Sequence, residues 1–407
     1  MKFKRIVIVG GGLVGLCSAL ALNRFAERLV ILEPGQLLVQ PEQGLNVRSI
    51  ALSASSEEIF KSLGVWSDLS ANANPIQHIH VSSAGYFGIT RLHANDNGRD
   101  SMGHVIEYNA LLKTLLLATK KIKHLQLNES TNVKQLLQTD EGCRLIVESQ
   151  NDQSQEYKAD LIVIADGSQS SSRQFVGIEH HQVDYGQSVV IGNITTSKPL
   201  NHWAFERFTE SGPLALLPLG GSQYSVVWTV KNDQQQTLLS LSDSEFIEKL
   251  QFLFGYRLGR IETLGDRFGL PIVRTQAESL VTPSAVVLGN AANALHPVAG
   301  QGFNLALRDI ACLHDACSDL TASVDSALGL GEALKTYESI RQLEHAKVIN
   351  NGDSLVSLFS NNLPLLNHAR AGALAALDLL PAVKAAIGLT GMGFGFGGNR
   401  LLRGRSC

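Results

Sequence analysis

Apolar and polar positions alternate along the chain in a way that predicts its elements before any motif is considered. Residues 6–9, Ile-Val-Ile-Val, form an unbroken apolar run of strand length. Glycines 10, 11 and 12 end it, a helical stretch follows over 16–24, and a second apolar run over 29–32 stops at Glu33. Two further runs, 161–164 and 285–288, also end in polar or glycine-rich turns. Continuous apolar strands interleaved with helices predict a parallel sheet covered on both faces. Strand-like stretches at 188–191, 214–217 and 224–228 predict a second sheet within 183–275. Helical periodicity dominates from about residue 332, and the polar stretches 148–156 and 232–236 read as exposed turns.

The first strand enters Gly10-Gly11-Gly12-Leu13-Val14-Gly15, which satisfies G-x-G-x-x-G. Here the first glycine permits the tight turn, the second lets backbone approach a pyrophosphate, and the third lets helix and strand pack closely. The helix N-terminus turns unpaired N–H groups toward phosphate. Glu33 lies 18 residues beyond Gly15, where a carboxylate accepts from ribose and favours FAD or NAD over NADP as the resident dinucleotide. The context of strand, helix and acid makes this a dinucleotide site.

Composition narrows the class. The chain has 407 residues, 44% hydrophobic, with a formal net charge of −3, and is long enough for two or three domains. No dense Lys/Arg run suggests nucleic-acid binding. The cysteines (17, 143, 312, 317 and 407) are odd in number and scattered, which fits a reduced, cytoplasmic compartment. Cys312, His314 and Cys317 read as ordinary helix residues and not as a metal cluster. The basic start and apolar run imitate a signal peptide, but the spaced glycines and the following acid-terminated strand argue against one. The tail over 372–398 is apolar yet broken by Asp378, Pro381 and Lys384, so it reads as a helix on the body of the protein or an element touching membrane.

Two later turns choose between cofactors. Strand 161–164 runs into Asp166-Gly167-Ser168-Gln169-Ser170-Ser171-Ser172-Arg173, a D-G-x-x-S-x-x-R pattern, and strand 285–288 into Gly289-Asn290-Ala291-Ala292. Strand ends are where open parallel sheets bind ligands, and three distant ones serving one ligand call for a long cofactor such as FAD. With these motifs in order, the chain resembles the FAD-dependent aromatic hydroxylases of the p-hydroxybenzoate hydroxylase type, in their ubiquinone-biosynthesis branch. The resemblance is carried by residues 48–53 (RSIALS), 205–209 (FERFT), 212–215 (GPLA) and 296–305 (HPVAGQGFNL), and runs to about residue 355.

That resemblance implies a monooxygenase acting on a polyprenylated phenol with NAD(P)H and O2, alongside other ubiquinone-biosynthesis proteins and with peripheral membrane contact. It also places Arg48 against FAD, Asp166 and Gly167 near the pyrophosphate and transient NAD(P)H, and residue 290 on the ribityl chain. The wider family has Asp where this chain has Asn290, and the ubiquinone branch shares the departure. Gly300, Gln301 and Gly302 precede a helix from Phe303 and Asn304, so their N–H groups would face the flavin's negative edge. Pro297 would face substrate, and His296 is a candidate for proton transfer. Phe205, Leu216 and Trp228 are candidates for an apolar pocket wall.

The expected fold is therefore α/β. It comprises a discontinuous Rossmann-like FAD-binding domain over 1–75, 103–180 and 276–345, and an inserted β-sheet substrate domain over 76–102 and 183–275. A helical C-terminal region covers 346–407. Absence of a second nucleotide fingerprint and of a C-x-x-x-x-C pair argues against a flavin disulfide reductase. Another aromatic-ring flavin hydroxylase and a flavin-binding scaffold subunit remain as alternatives.

Overall fold

The computed structural model describes residues 2–37, 48–139, 142–150, 153–322, 329–359, 372–395 and 398–404. Its central sheet has six strands in the spatial order 281–282, 285–287, 161–164, 3–9, 26–32, 125–128. All pair in parallel except the two-residue edge strand Val281–Thr282. Phe3–Val9 is central, which explains its unbroken apolar run, since Ile6 to Val9 are buried against layers on both faces. The helix Leu13–Leu22 is apolar on nearly every side and nine of its ten residues are buried. It lies between the sheet and the helices Tyr108–Thr119 and Gln301–Ala322, so no face is left to solvent.

The second large sheet has eight strands in the order 293–294, 261–277, 180–196, 223–231, 212–220, 203–209, 78–83, 89–93. Its pairings are antiparallel except for 203–209 with 78–83. The helices Asn232–Ser240 and Asp243–Phe254 follow one of its strands and cover one face. The second helix is started by a capping box in which Ser242 and Glu245 each serve the other's backbone. Phe205, Leu216 and Trp228, expected to line a pocket, lie in the core beneath those helices. They pack with Phe246, Leu250 and Phe254. The physical reason is parity. On a strand, successive side chains alternate between faces, and these three share the helix-covered one.

A small sheet of strands Ser49–Ser53, Gly103–Glu107 and Ala73–Ile76 and another of 131–139, 142–149 and 154–159 complete the strands. The expected boundary at 346 falls within a helix. One helix, Leu330–Phe359, carries the chain through that position, because a buried ion-pair cluster holds its middle against Gln301–Ala322. Among the described residues no single helix is long and apolar enough to cross a membrane. The pair Gly372–Asp378 and Pro381–Gly391 is bent by 98°.

Candidate functional site

The nucleotide loop is set by backbone contacts. Gly10 adopts φ +102°, and a side chain there would collide with the carbonyl oxygen of Ala165, just past the neighbouring strand. A side chain at Gly15 would collide with the Gly10 carbonyl, so both glycines are demanded by the fold. Gly12 differs, since a methyl group added to it would meet nothing within 4 Å. It is the extended N-cap of the helix Leu13–Leu22, with no side chain capping it, so the first N–H groups of that helix are left for a ligand. Leu13 itself buries its side chain in the core and offers only backbone. Glu33 closes the loop, accepting from Gly11 N at 2.6 Å and Gly35 N at 2.8 Å.

The turns after the other two strands meet beside this loop. Asp166 accepts from Ser172 N at 3.2 Å through Oδ2, while its buried Oδ1 has no partner among the described residues. Gly167 holds φ +90° and borders open space. Arg173 is fully buried and donates to the Ala291 carbonyl at 2.6 Å, tying this turn to the next. Gly289, at φ +60°, lies so close to Val14 that an added methyl would approach it to 2.9 Å. Asn290 beside it is exposed. Arg48 is exposed and lies over the Tyr108 ring at 5.5 Å.

The third stretch, 296–304, departs from expectation in several side chains. His296 is buried, and both ring nitrogens are engaged. Nδ1 accepts from Val298 N at 3.2 Å and Nε2 lies 3.3 Å from Gln187 Oε1. Burial brings its pKa down to about 4, with the charge of Asp353 opposing only in part. A neutral ring held at both nitrogens orders the turn. The Gly300 N–H donates to the Pro297 carbonyl at 3.0 Å, so that donor does not face a flavin. Gly302 borders open space at the start of Gln301–Ala322.

Asn304 is a hub. Its Oδ1 accepts from Ser53 N at 2.8 Å and Ser56 Oγ at 2.7 Å, and its Nδ2 donates to the Ala51 and Gly300 carbonyls at 2.8 Å each. The amide is thus engaged in joining strand Ser49–Ser53 to the turn and is not presented to a ligand. Phe303 packs on the core against Phe60, with ring centroids 6.4 Å apart.

The open positions test the cofactor. Gly12, Gly167 and Gly302 stand on three different turns, and each leaves room that a side chain would fill. The same turns carry the unpartnered Asp166 oxygen, the exposed Asn290 and the uncapped helix start. These residues fit a long dinucleotide lying across the strand ends.

Sequence reasoning missed one residue on the other side of the 296–304 turn. Glu206, noted only as part of FERFT, has neither hydrogen-bond nor ion-pair partner among the described residues and keeps partial solvent access. Burial pushes its carboxyl up to about 7. Strand alternation between Phe205 and Arg207 would have shown that it faces away from the helix-covered core. Also unforeseen was the trio in which Asp353 accepts from Tyr185 at 2.5 Å and Arg274 at 2.6 Å.

Residues 4–351 match the family described as FAD binding domain. The chain is 29% identical over 388 residues to the ubiquinone hydroxylase UbiL of Rhodospirillum rubrum, covering 94% of this chain and 88% of that one. It is 28% identical over 386 residues to the 3-demethoxyubiquinol 3-hydroxylase of Escherichia coli, covering 94% and 95%. Its fold is similar to that of p-nitrophenol 4-monooxygenase PnpA from Pseudomonas putida, with a TM-score of 0.77 at 16% identity over the full length of both chains.

Proposed function

We infer that this chain, which belongs to the FAD-binding-domain family, hydroxylates the ring of a polyprenylated phenol in ubiquinone biosynthesis, with NAD(P)H as reductant and O2 as co-substrate. In class it is an FAD-dependent aromatic-ring monooxygenase. The observation that carries the substrate reading is the apolar face that the eight-stranded sheet turns toward the 296–302 turn, where Phe208, Val298 and Leu374 pack together beside Val81. Such a face suits an aromatic ring bearing a prenyl chain and excludes water from it. The motifs at 205–209, 212–215 and 296–305 favour a 2-polyprenyl-6-methoxyphenol among the ring substrates of this pathway. A neighbouring ring position is the second reading, supported by the 3-demethoxyubiquinol relative.

FAD, once reduced by NAD(P)H, supplies the activated oxygen. The residues contribute position and charge. The backbone of Gly10, Gly12, Leu13 and Gly15 would hold the pyrophosphate, Glu33 the ribose, Arg48 and Asp166–Gly167 the flanks of the dinucleotide, and Gly289–Asn290 the ribityl chain. Gln301 and Gly302, at the positive end of the helix Gln301–Ala322, would balance negative charge on the reduced ring. Phe303, Asn304 and His296 would keep that turn in place, with Pro297 toward the substrate.

The proposed domain assignment follows the sheets except at strand Asn293–Ala294, which closes the eight-stranded sheet from the FAD-binding unit. The FAD-binding unit takes 1–75, 103–180 and 276–345, and the substrate unit 76–102 and 183–275. Contact with a bilayer at the bend of the C-terminal helix pair is supported by Leu379, Leu380, Val383 and Ile387, which are exposed there. Quinone profiling of a deletion strain by mass spectrometry tests the function. Accumulation of a polyprenyl methoxyphenol supports it, and an unchanged quinone profile without a compensating enzyme refutes it.

A further inference from the structure

Glu206 lies in the middle of the strand Trp203–Thr209, opposite Val81 on one neighbouring strand and Ala215 on the other. Its alternating companions define its surroundings. Ala204 packs with Ile76 and Val105, and Phe208 with Val298 of the 296–302 turn and with Leu374. The intervening Phe205 and Arg207 point to the opposite face, where Phe205 is buried under the helices and Arg207 donates to Ser82. The carboxylate therefore shares the sheet face on which the cluster of Phe208, Val298 and Leu374 joins the sheet to the turn.

Among the described residues no positive group answers it. From the turn, the titratable group is His296, held by Gln187 and Val298. From the sheet and the helix Leu330–Phe359 come Tyr185, Arg274 and Asp353, which satisfy one another. Glu206 has no bond to any of these, and its oxygens are not sealed from solvent. A part-buried carboxylate beside apolar side chains and without a partner is unfavourable for the fold alone, and such groups concentrate where acid–base chemistry is done.

Resting on the phenol substrate read above, we propose that Glu206 is the catalytic residue that accepts the phenolic proton. The substrate O–H bond breaks, the proton passes to a Glu206 oxygen, and the freed electron pair enters the ring at the positions that attack the incoming oxygen. As the ring regains aromaticity, the displaced ring hydrogen leaves as a proton. Glu206 returns its own to the substrate oxygen and ends ionised, as it began. No oxidant or reductant beyond NAD(P)H and O2 is required. The ionised form is the competent one, and burial places its titration near neutrality, at about 7.

The test uses FAD-loaded wild type, Glu206→Gln and Glu206→Asp with a short-chain prenylated methoxyphenol. Wild-type kcat/KM for hydroxylation should rise with pH through about 7, and Glu206→Gln should lose that limb together with about 10²- to 10⁴-fold of the rate. Flavin content and substrate affinity should stay within about threefold, and Glu206→Asp should regain part of the rate. Infrared titration of the resting protein should show a carboxylic-acid band that disappears near pH 7 and is missing from Glu206→Gln. Near-normal hydroxylation by Glu206→Gln with the same pH limb overturns the proposal. If wild type hydroxylates no phenol, the substrate reading fails separately, and the infrared band still decides. A carboxyl already ionised at pH 5 overturns the role of Glu206.

Discussion

Replacing Glu206 with Gln is expected to stabilise the protein at neutral and alkaline pH. Burial lifts the carboxyl from its ordinary 4.5 to about 7, so the fold tolerates the neutral acid better than the ion. Because the folded value lies above the unfolded one, this group's contribution is full below about pH 4.5. It is lost as pH climbs to and through about 7. At about 1.4 kcal/mol per pKa unit, the ionised carboxylate costs at most about 3 kcal/mol above pH 8. At pH 5 the penalty has fallen to about 1 kcal/mol. Gln removes the ionisation and keeps the shape. Thermal melts of cofactor-free wild type and Glu206→Gln should therefore differ by about 3 °C at pH 9, in favour of the variant, and by about 1 °C at pH 5. A difference independent of pH, or a less stable variant at pH 9, would refute the reasoning. A stabilised and nearly inactive variant is the pattern of a residue retained for chemistry.

Glycines of one motif should part company when substituted. Gly12→Val has room in the fold and should melt like wild type while losing at least about tenfold in retained flavin, read by absorbance. Gly15→Val drives a side chain into the Gly10 carbonyl and should lose soluble expression. Arg341 joins Asp309 at 2.6 Å and also Glu344, all three buried. Burial alone would raise Asp309, yet His345 and Arg341 bring it down to about 2, so Arg341→Ala leaves charge uncompensated and should cost about 3–5 kcal/mol in denaturant titration. Leu379→Glu with Val383→Glu should weaken binding to phosphatidylglycerol vesicles by about tenfold or more, leaving turnover of a short-chain phenol unchanged.

The parallel sheet was legible because buried strands must be apolar throughout, as in residues 6–9 and 161–164. The glycine spacing was equally readable, since Gly10 and Gly15 answer to backbone a few residues or one strand away. Side-chain roles in the 296–304 turn were not. The partner of His296 is Gln187, and Asn304 is held by Ser53 and Ser56, contacts across 109 and about 250 positions that no local pattern announces. Phe205, Leu216 and Trp228 were misplaced for a different reason. Their identities suit a pocket or a core equally, and only pairing parity assigns the face. The same parity isolates Glu206, so it was present in the sequence but hidden behind its apolar neighbours.

The two-residue strand Asn293–Ala294 ends the eight-stranded sheet, pairing with Gln276 and Thr275, yet it lies between Asn290 and His296 in the chain. The sheet proposed to cover the substrate is therefore sewn into the segment that would carry the cofactor. A chimera that imports another relative's sheet with only residues 183–275 would inherit a foreign last seam. Residues 289–304 would have to travel with it. Specificity in this architecture is then exchanged in larger blocks than its domain diagram suggests, and relatives with different ring preferences should differ in that turn as well as in the sheet.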